Sequence, residues 1–218
     1  MRPWQSHSVA GVPRQLVVRL FDEGVDSFAA AAGSLSPEGW EHPVCGSWSA
    51  CELARHVAAV ADWYHDWLDR AEAGDSAPPF RVEELAVENE RANGMLGSLD
   101  GPAAVERFVA RARAYSERLP PDWDLPFGYP RGTVTAGLHA GVAACEWHLH
   151  AWDLSGAVGG THHPSEPAAL YTAAGACLAA AQGGVKGRLA DALVPLGARL
   201  RPWEALLRRS GRAPRPGD

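Results

Sequence analysis

Hydrophobic residues recur every three or four positions over long stretches of this chain, which is the spacing of an amphipathic α-helix. The first such stretch predicts a helix over residues 13–32, with Pro13 well suited to its first turn. Its apolar positions are Leu16, Val17, Leu20, Phe21, Val25 and Phe28. This helix is expected to bury one face against other elements.

A second helix is predicted over residues 50–73. Ser49 and Glu52, three residues apart at its start, form the pattern of a capping box. The apolar face of this helix consists of Leu53, Val57, Val60 and Tyr64. His56 lies on the same face, so the pattern predicts a histidine that points into the protein.

Five further helices follow from spacing and from start and stop signals. We predict them over residues 82–95, from Asp100 to the prolines at 120–121, from a Thr133 cap to the glycines at 156–160, over 165–182 and over 202–209. We expect an extended run at 193–196 and no regular structure in the breaker-rich segments 33–48 and 120–132, the second of which has the character of a site-lining loop. No strand pattern is long enough to build a sheet, so the predicted fold class is all-α.

The fifth helix carries the residues with the clearest chemistry. Glu146 and His150 are four residues apart and therefore lie on one face, one turn above the other. With His56 from the second helix they offer two imidazoles and one carboxylate, and facing helices build metal sites from such side chains. The sequence predicts a metal centre, against the alternative that these are hydrogen-bonded core residues.

Three protein ligands with an open fourth position are typical of catalytic zinc. Zinc is therefore the expected metal, and nickel, iron and manganese remain alternatives for the same ligands. His139 and Asp153 share the helix face and are candidates for orienting an imidazole from behind. No further catalytic residue and no cofactor-binding residue is assigned.

Other polar and aromatic residues receive a structural interpretation. His148, His162 and His163 are interpreted as surface residues. Cys51, in the first turn of the second helix, is a weak candidate nucleophile because the helix dipole lowers a thiol pKa. The aromatic residues near the proposed ligands fit core filling better than a substrate-stacking box; they are Trp63, Tyr64, Trp67, Trp147 and Trp152.

Composition narrows the functional classes. The chain has 218 residues, is 46% hydrophobic and carries a net charge of −6 without a long basic run, which argues against a nucleic-acid partner. It shows no signal peptide and no apolar run of ~20 residues, so we expect a cytoplasmic protein without a membrane partner.

We predict one domain over residues 1–212, a disordered tail over 213–218, and a monomer or homodimer. The four cysteines have no metal-knuckle or redox spacing and are expected to be reduced.

Three stretches of the sequence resemble a known family. The first runs from Pro43 to His56 and is similar to the signature Cys-x-Gly-Trp-Thr/Ser followed by Leu-x-x-His, with Gly46-Ser47 in place of the usual order. The second, Glu-x-x-x-His-Ala-Trp-Asp-Leu, begins at Glu146. The third is the closing helix from Trp203 to Arg212. Together they resemble the mycothiol-dependent maleylpyruvate isomerase N-terminal family, within the DinB-like metalloenzymes, in a single-domain subgroup.

The resemblance implies a DinB-like four-helix bundle with extra C-terminal helical segments. It places the family's metal ligands on His56, Glu146 and His150. It also implies mycothiol, a low-molecular-weight thiol, as the cosubstrate that acts on a small electrophile. We expect an S-transferase, because the family's isomerase carries a further C-terminal domain that this length does not contain. A mycothiol-dependent isomerase of the maleylpyruvate type, a metal-dependent hydrolase with His139 nearby, and a non-catalytic metal-binding interaction module remain alternatives.

Overall fold

The computed structural model describes residues 11–179, 200–215 and 218. The helices are α1 (Arg14–Gly33), α2 (Ala50–Glu72), α3 (Leu85–Met95), α4 (Gly101–Arg118), α5 (Ala136–Ala157), α6 (Pro167–Ala179) and α7 (Pro202–Arg209). Two 3₁₀ turns cover Glu38–Glu41 and Val82–Glu84. The strands are β1 (Pro43–Cys45), β2 (Trp48–Ser49), β3 (Pro126–Tyr129) and β4 (Gly132–Thr135). The predicted all-α fold class is confirmed.

Four of the helices form the bundle. Helix α1 packs against α5 and α4, α2 packs against α4, and α6 and then α7 are added outside α5. The largest buried side chains of the core include Phe21, Phe28, Phe108, Tyr115 and Trp147. Helices α2 and α5, which carry the predicted ligands, approach each other closely at few backbone positions. Side chains and a cavity occupy the space between them, and this space holds the candidate site.

Small residues bring α5 close to its neighbours on both sides. A Cβ atom at Gly24 of α1 would lie 2.8 Å from the Cβ of Trp147, and one at Gly141 would lie 2.7 Å from the carbonyl oxygen of Ala173 in α6. Real Cβ atoms do not approach other atoms so closely. The glycines therefore fix how deeply α5 is buried, and with it the depth of Glu146 and His150.

The two segments that were expected to lack regular structure each contain a hairpin. Strand β1 pairs antiparallel with β2, and β3 pairs antiparallel with β4 in the register Pro126↔Thr135 to Tyr129↔Gly132. These strands have two to four residues, too few for an alternating pattern to emerge among prolines and glycines. Each hairpin leads directly into a ligand-bearing helix, β2 into α2 and β4 into α5.

The helix caps agree with the sequence at two of three positions. The capping box of Ser49 and Glu52 is present, and Asp100 accepts the N–H of Ala103 at 2.9 Å. The predicted Thr133 cap is wrong. Thr133 is a strand residue, and Thr135 caps α5 by accepting the N–H of Leu138 at 3.2 Å.

Several predictions concern the C-terminal part of the chain. Helix α7 begins at Pro202 as expected. The predicted end of helix six at 180–182 and the extended run at 193–196 lie outside the described residues. The division into a domain over 1–212 and a tail over 213–218 stays a prediction; within that tail, the Arg215 guanidinium lies 3.6 Å from the ring centre of Trp152, and the indole N–H donates to Asp218. No helix in the described part of the chain is long and apolar enough to cross a bilayer.

Candidate metal centre

The three predicted ligands come together between α2 and α5. The Nε2 atom of His56 lies 3.8 Å from Oε1 of Glu146, and one ligand atom from each of His56, Glu146 and His150 lies within 4.8 Å of the others. The imidazole rings of the two histidines meet edge to face, with centres 5.3 Å apart. Two nitrogen donors and one carboxylate at this spacing fit a divalent transition metal.

The protonation states of two of these side chains suit metal binding. Burial lowers the pKa of His56, so its imidazole is neutral near pH 7. Burial alone would raise the pKa of Glu146, but the nearby imidazoles of His56 and His150 and the hydrogen bond from Tyr64 lower it on balance, so its carboxylate is ionised. A neutral imidazole and an ionised carboxylate are the forms in which these groups bind metals.

His150 is held from behind by Asp153. Its Nδ1 atom lies 3.0 Å from Oδ2 of Asp153, which fixes the hydrogen on Nδ1 and leaves Nε2 for a ligand. Burial would lower the pKa of His150, but hydrogen bonds with Asp153 and Cys45 raise it to about 9. Arg212 donates from Nε and Nη2 to the two oxygens of Asp153 at 2.8 and 2.5 Å. Burial opposes ionisation of Asp153, yet these bonds lower its pKa to about 2.

Two aromatic residues hold the other ligands. Tyr64 donates its hydroxyl hydrogen to Oε2 of Glu146, so Oε1 is the oxygen that faces His56. The ring of Trp48 packs against His56, with centres 4.7 Å apart, and its indole N–H donates to Glu90 at 2.8 Å. Tyr64 thus orients the carboxylate by a hydrogen bond, whereas the imidazole of His56 is held by packing against Trp48.

A cavity of about 560 Å³ opens above the three side chains. Its walls come from α2, α3, the β3–β4 hairpin, α5 and the segment after α7. The lining includes Trp48, Trp63, Tyr64, Trp67, Leu85, Tyr129, Pro130, Arg131 and residues 209–212. The segment expected to line a site does so, and three aromatic residues expected to fill the core, Trp63, Tyr64 and Trp67, also face this cavity. Trp147 is core-filling, as expected.

His139 does not contact either imidazole of the centre. Its Nδ1 atom lies 2.8 Å from the hydroxyl of Tyr115, its ring stacks on Phe127 with centres 4.0 Å apart, and its edge faces Tyr64. Burial lowers its pKa to about 3. Tyr64 contacts both His139 and Glu146 and so links this imidazole to the centre.

The cysteines of the site differ from the expectation. Cys51 is buried, and burial raises the pKa of its thiol, which is opposite to the expected dipole effect. Cys45, which the sequence did not single out, has its sulfur within 4.8 Å of ligand atoms of His150 and Asp153. The Nη2 atom of Arg212 lies 3.9 Å from this sulfur. The guanidinium of Arg212 therefore sits at this second group of potential ligands.

The interpretation of His148 as a surface residue is wrong. It is fully buried, with Nε2 2.9 Å from the carbonyl oxygen of Leu20 and Nδ1 2.9 Å from Nε2 of His162. Because a carbonyl oxygen only accepts, Nε2 of His148 carries the hydrogen and Nδ1 accepts one from His162. This pair joins α1, α5 and the loop before α6, away from the metal centre.

Fold and site together define a DinB-like helical domain with a candidate metal centre between two of its helices. A comparison with protein-family models identifies the family. Residues 21–155 match the mycothiol maleylpyruvate isomerase N-terminal domain, and the chain belongs to this family. No curated protein and no solved structure matches the chain significantly. The matched range contains His56, Glu146 and His150, whereas Arg212 lies beyond it.

Proposed function

We propose that this protein is a divalent-metal enzyme that uses a low-molecular-weight thiol, mycothiol, to attack a small electrophile, as an S-transferase. The observation that carries the proposal is the convergence of His56, Glu146 and His150 at the base of an open cavity. A structural metal site would be closed by a fourth protein ligand. Family membership supports the choice of thiol.

His56, Glu146 and His150 would hold the metal, for which zinc is our first choice and nickel, iron and manganese are alternatives. When bound, the metal would supply Lewis acidity that favours the ionised form of a thiol near pH 7. The contribution of the chain itself is orientation. Asp153 fixes the ring of His150, and Tyr64 fixes the carboxylate of Glu146.

The cavity provides the space for two reactants. Its volume of about 560 Å³ is within the range of small-molecule sites. Aromatic side chains form much of its wall, which lowers the polarity around a bound sulfur. In the transfer reaction the sulfur forms a bond to carbon, the leaving group departs with its electron pair, and the thiol proton passes to solvent.

An isomerase would share the first half of this chemistry. The thiol would add to an activated double bond, rotation would follow, and the thiol would leave again with no net conjugation. The hydrolase alternative has less support, because the described cavity lining does not include His139 and this imidazole is buried with a pKa of about 3. The products distinguish the two thiol reactions. An S-transferase accumulates a conjugate, whereas an isomerase changes only the geometry of the double bond.

The test measures metal content and thiol binding in the same preparation. We expect near-stoichiometric metal in the wild type and its loss in His150→Ala and Glu146→Gln, the second of which preserves the side-chain shape. His42→Ala, at an exposed histidine, is the control and should retain metal. With cobalt in the site, titration with mycothiol should produce a sulfur-to-cobalt charge-transfer band. Wild-type protein without metal, or cobalt protein without this band, would overturn the proposal.

A further inference from the structure

The cavity above the candidate metal centre is positively charged. Arg131, Arg209 and Arg212 line it, while Glu146 is the one carboxylate among the described residues of its lining. The protein as a whole has a net charge of −6. A cationic cavity in an acidic protein selects for anionic ligands, because a concave wall focuses the field of its charges.

Two of these arginines already have strong partners. Arg212 binds the carboxylate of Asp153. Arg209 donates to the hydroxyl of Tyr171 at 2.6 Å and lies over its ring. Arg131 is different, since among the residues that the structure describes it has no hydrogen-bond or ion-pair partner. A guanidinium group has five N–H donors, so Arg131 brings unused donors to the cavity.

The carboxylates beside Arg131 are engaged elsewhere. Glu83 and Glu84 line the groove that adjoins the cavity at this residue. Glu83 faces the guanidinium of Arg81 at 3.4 Å, and Glu84 accepts the backbone N–H of Arg81 at 2.9 Å. The charge of Arg131 is therefore left available to a ligand.

The position of Arg131 is fixed by the hairpin that carries it. Tyr129 pairs with Gly132, so Arg131 is one of the two turn residues between β3 and β4. Below the turn, a Cβ atom at Gly128 would overlap the carbonyl oxygen of Ala77, and Thr133 donates to the carbonyl oxygen of Ser76 at 2.9 Å. The hairpin is thus fastened to the loop after α2, with its tip at the cavity.

We propose that Arg131 is the specificity-determining residue for the electrophile, and that it binds a carboxylate of a small anionic substrate. The planar guanidinium matches a carboxylate with two parallel hydrogen bonds. This inference rests on the proposed function in one respect, namely that the cavity holds an electrophile next to a thiol. We assign the carboxylate to the electrophile. The experiment below also tests the alternative that the thiol carries it.

The experiment uses succinate as an anionic probe and succinamide as its neutral counterpart, measured by calorimetry on the metal-loaded protein. Arg131→Gln should weaken succinate binding by about tenfold or more, the scale of a charge-assisted hydrogen bond. Arg131→Lys keeps the charge but cannot form two parallel hydrogen bonds, so it should give an intermediate loss of succinate affinity. Succinamide binding should be equally weak in all variants. Arg113→Gln is the control, because it removes the same charge from an exposed position outside both the cavity and the adjoining groove.

Equal succinate affinity in Arg131→Gln and wild type, equal losses in Arg131→Gln and Arg113→Gln, or no succinate binding by the wild type would overturn the inference. The cobalt protein separates the source of the anion. A mycothiol band that persists at saturating succinate supports the electrophile, whereas succinate that displaces mycothiol through Arg131 assigns this residue to the thiol. If the wild type shows no thiol band but succinate binding still depends on Arg131, the proposed function fails while the anion site stands.

Discussion

Arg212 binds both carboxylate oxygens of Asp153, and Asp153 in turn holds Nδ1 of His150. A residue that follows α7 thereby reaches a candidate metal ligand in α5 through Asp153, and the Nη2 atom of Arg212 also lies 3.4 Å from Nδ1 of His150. A hydrogen-bonded carboxylate behind a ligating imidazole fixes the ring and raises its basicity. Arg212 is thus positioned to influence metal affinity without touching the metal.

The first prediction concerns this chain of contacts. Asp153→Asn and Arg212→Gln should each lower zinc affinity by about 10-fold to 100-fold, the usual effect of removing such a partner. Competition with a chromogenic chelator measures the affinity. Arg208→Gln, an exposed arginine of α7, is the matched control and should leave it unchanged. Wild-type zinc affinity in both site variants would show that Asp153 and Arg212 have no role in orienting His150.

The second prediction concerns stability at mildly acid pH. Burial and the neighbouring His148 lower the pKa of His162 to about 4, below the value of about 6.5 for an unfolded chain. The folded state thus favours neutral His162. Its contribution is fully present above pH 6.5 and is lost as the pH falls towards 4. Urea unfolding should show the free energy of unfolding dropping by about 1–3 kcal/mol from this residue over that window.

His162→Gln tests the assignment, because the amide can still donate to Nδ1 of His148 but does not titrate. Its free energy of unfolding should depend less steeply on pH between 6.5 and 4 than that of the wild type. An unchanged slope would mean that other groups cause the acid sensitivity.

The third prediction tests the close approach of α1 and α5. Gly24→Ala places a methyl group against the Cβ of Trp147, an atom that cannot move away without its helix. We expect a loss of about 1–3 kcal/mol in unfolding free energy, the cost of overpacking a core. Gly33→Ala, at the exposed end of the same helix with no atom within 4 Å of the new methyl, should be neutral or stabilising. Equal effects at both positions would contradict the packing.

The fourth prediction distinguishes the cysteines. Cys45 is partly exposed, whereas Cys51 and Cys145 are buried, and burial raises the pKa of Cys145 to about 12. Iodoacetamide at pH 8 should label Cys45 well before the other two, as peptide mass spectrometry would show. Rapid labelling of Cys51 would contradict its burial and support it again as a candidate nucleophile. The denatured protein, in which all sites are open, provides the reference rates.

The sequence predicted those parts of the site that depend on local geometry. Glu146 and His150 are related by one helical turn, and His56 shares a face with apolar residues of α2, so periodicity alone indicated that they point inward. The contact of Arg212 with Asp153 joins residues 59 positions apart. No spacing rule predicts a contact between residues so far apart in sequence. The motif around Arg212 indicated a family resemblance, but it did not indicate which residue Arg212 contacts.

The errors have equally local causes. The hairpins were missed because prolines and glycines, which break helices, also form short strands with tight turns. Without the β3–β4 hairpin, the helix is predicted to begin too early, and Thr133 is predicted as the α5 cap in place of Thr135. His148 was assigned to the surface because it points away from Glu146, but α5 is buried on nearly all sides. In a helix without a polar face, the sequence pattern does not distinguish buried positions from exposed ones.

The β3–β4 hairpin allows the mouth of the cavity to be changed independently of the predicted metal ligands. Each ligand-bearing helix is capped by the last residue of a hairpin, Ser49 or Thr135. The turn residues of the second hairpin, Pro130-Arg131, line the cavity at the opposite end of the strands from the Thr135 cap. Exchanging this turn sequence would alter the entrance and its charge while α5 keeps its starting residue, so this scaffold is suited to directed changes of substrate range by loop grafting.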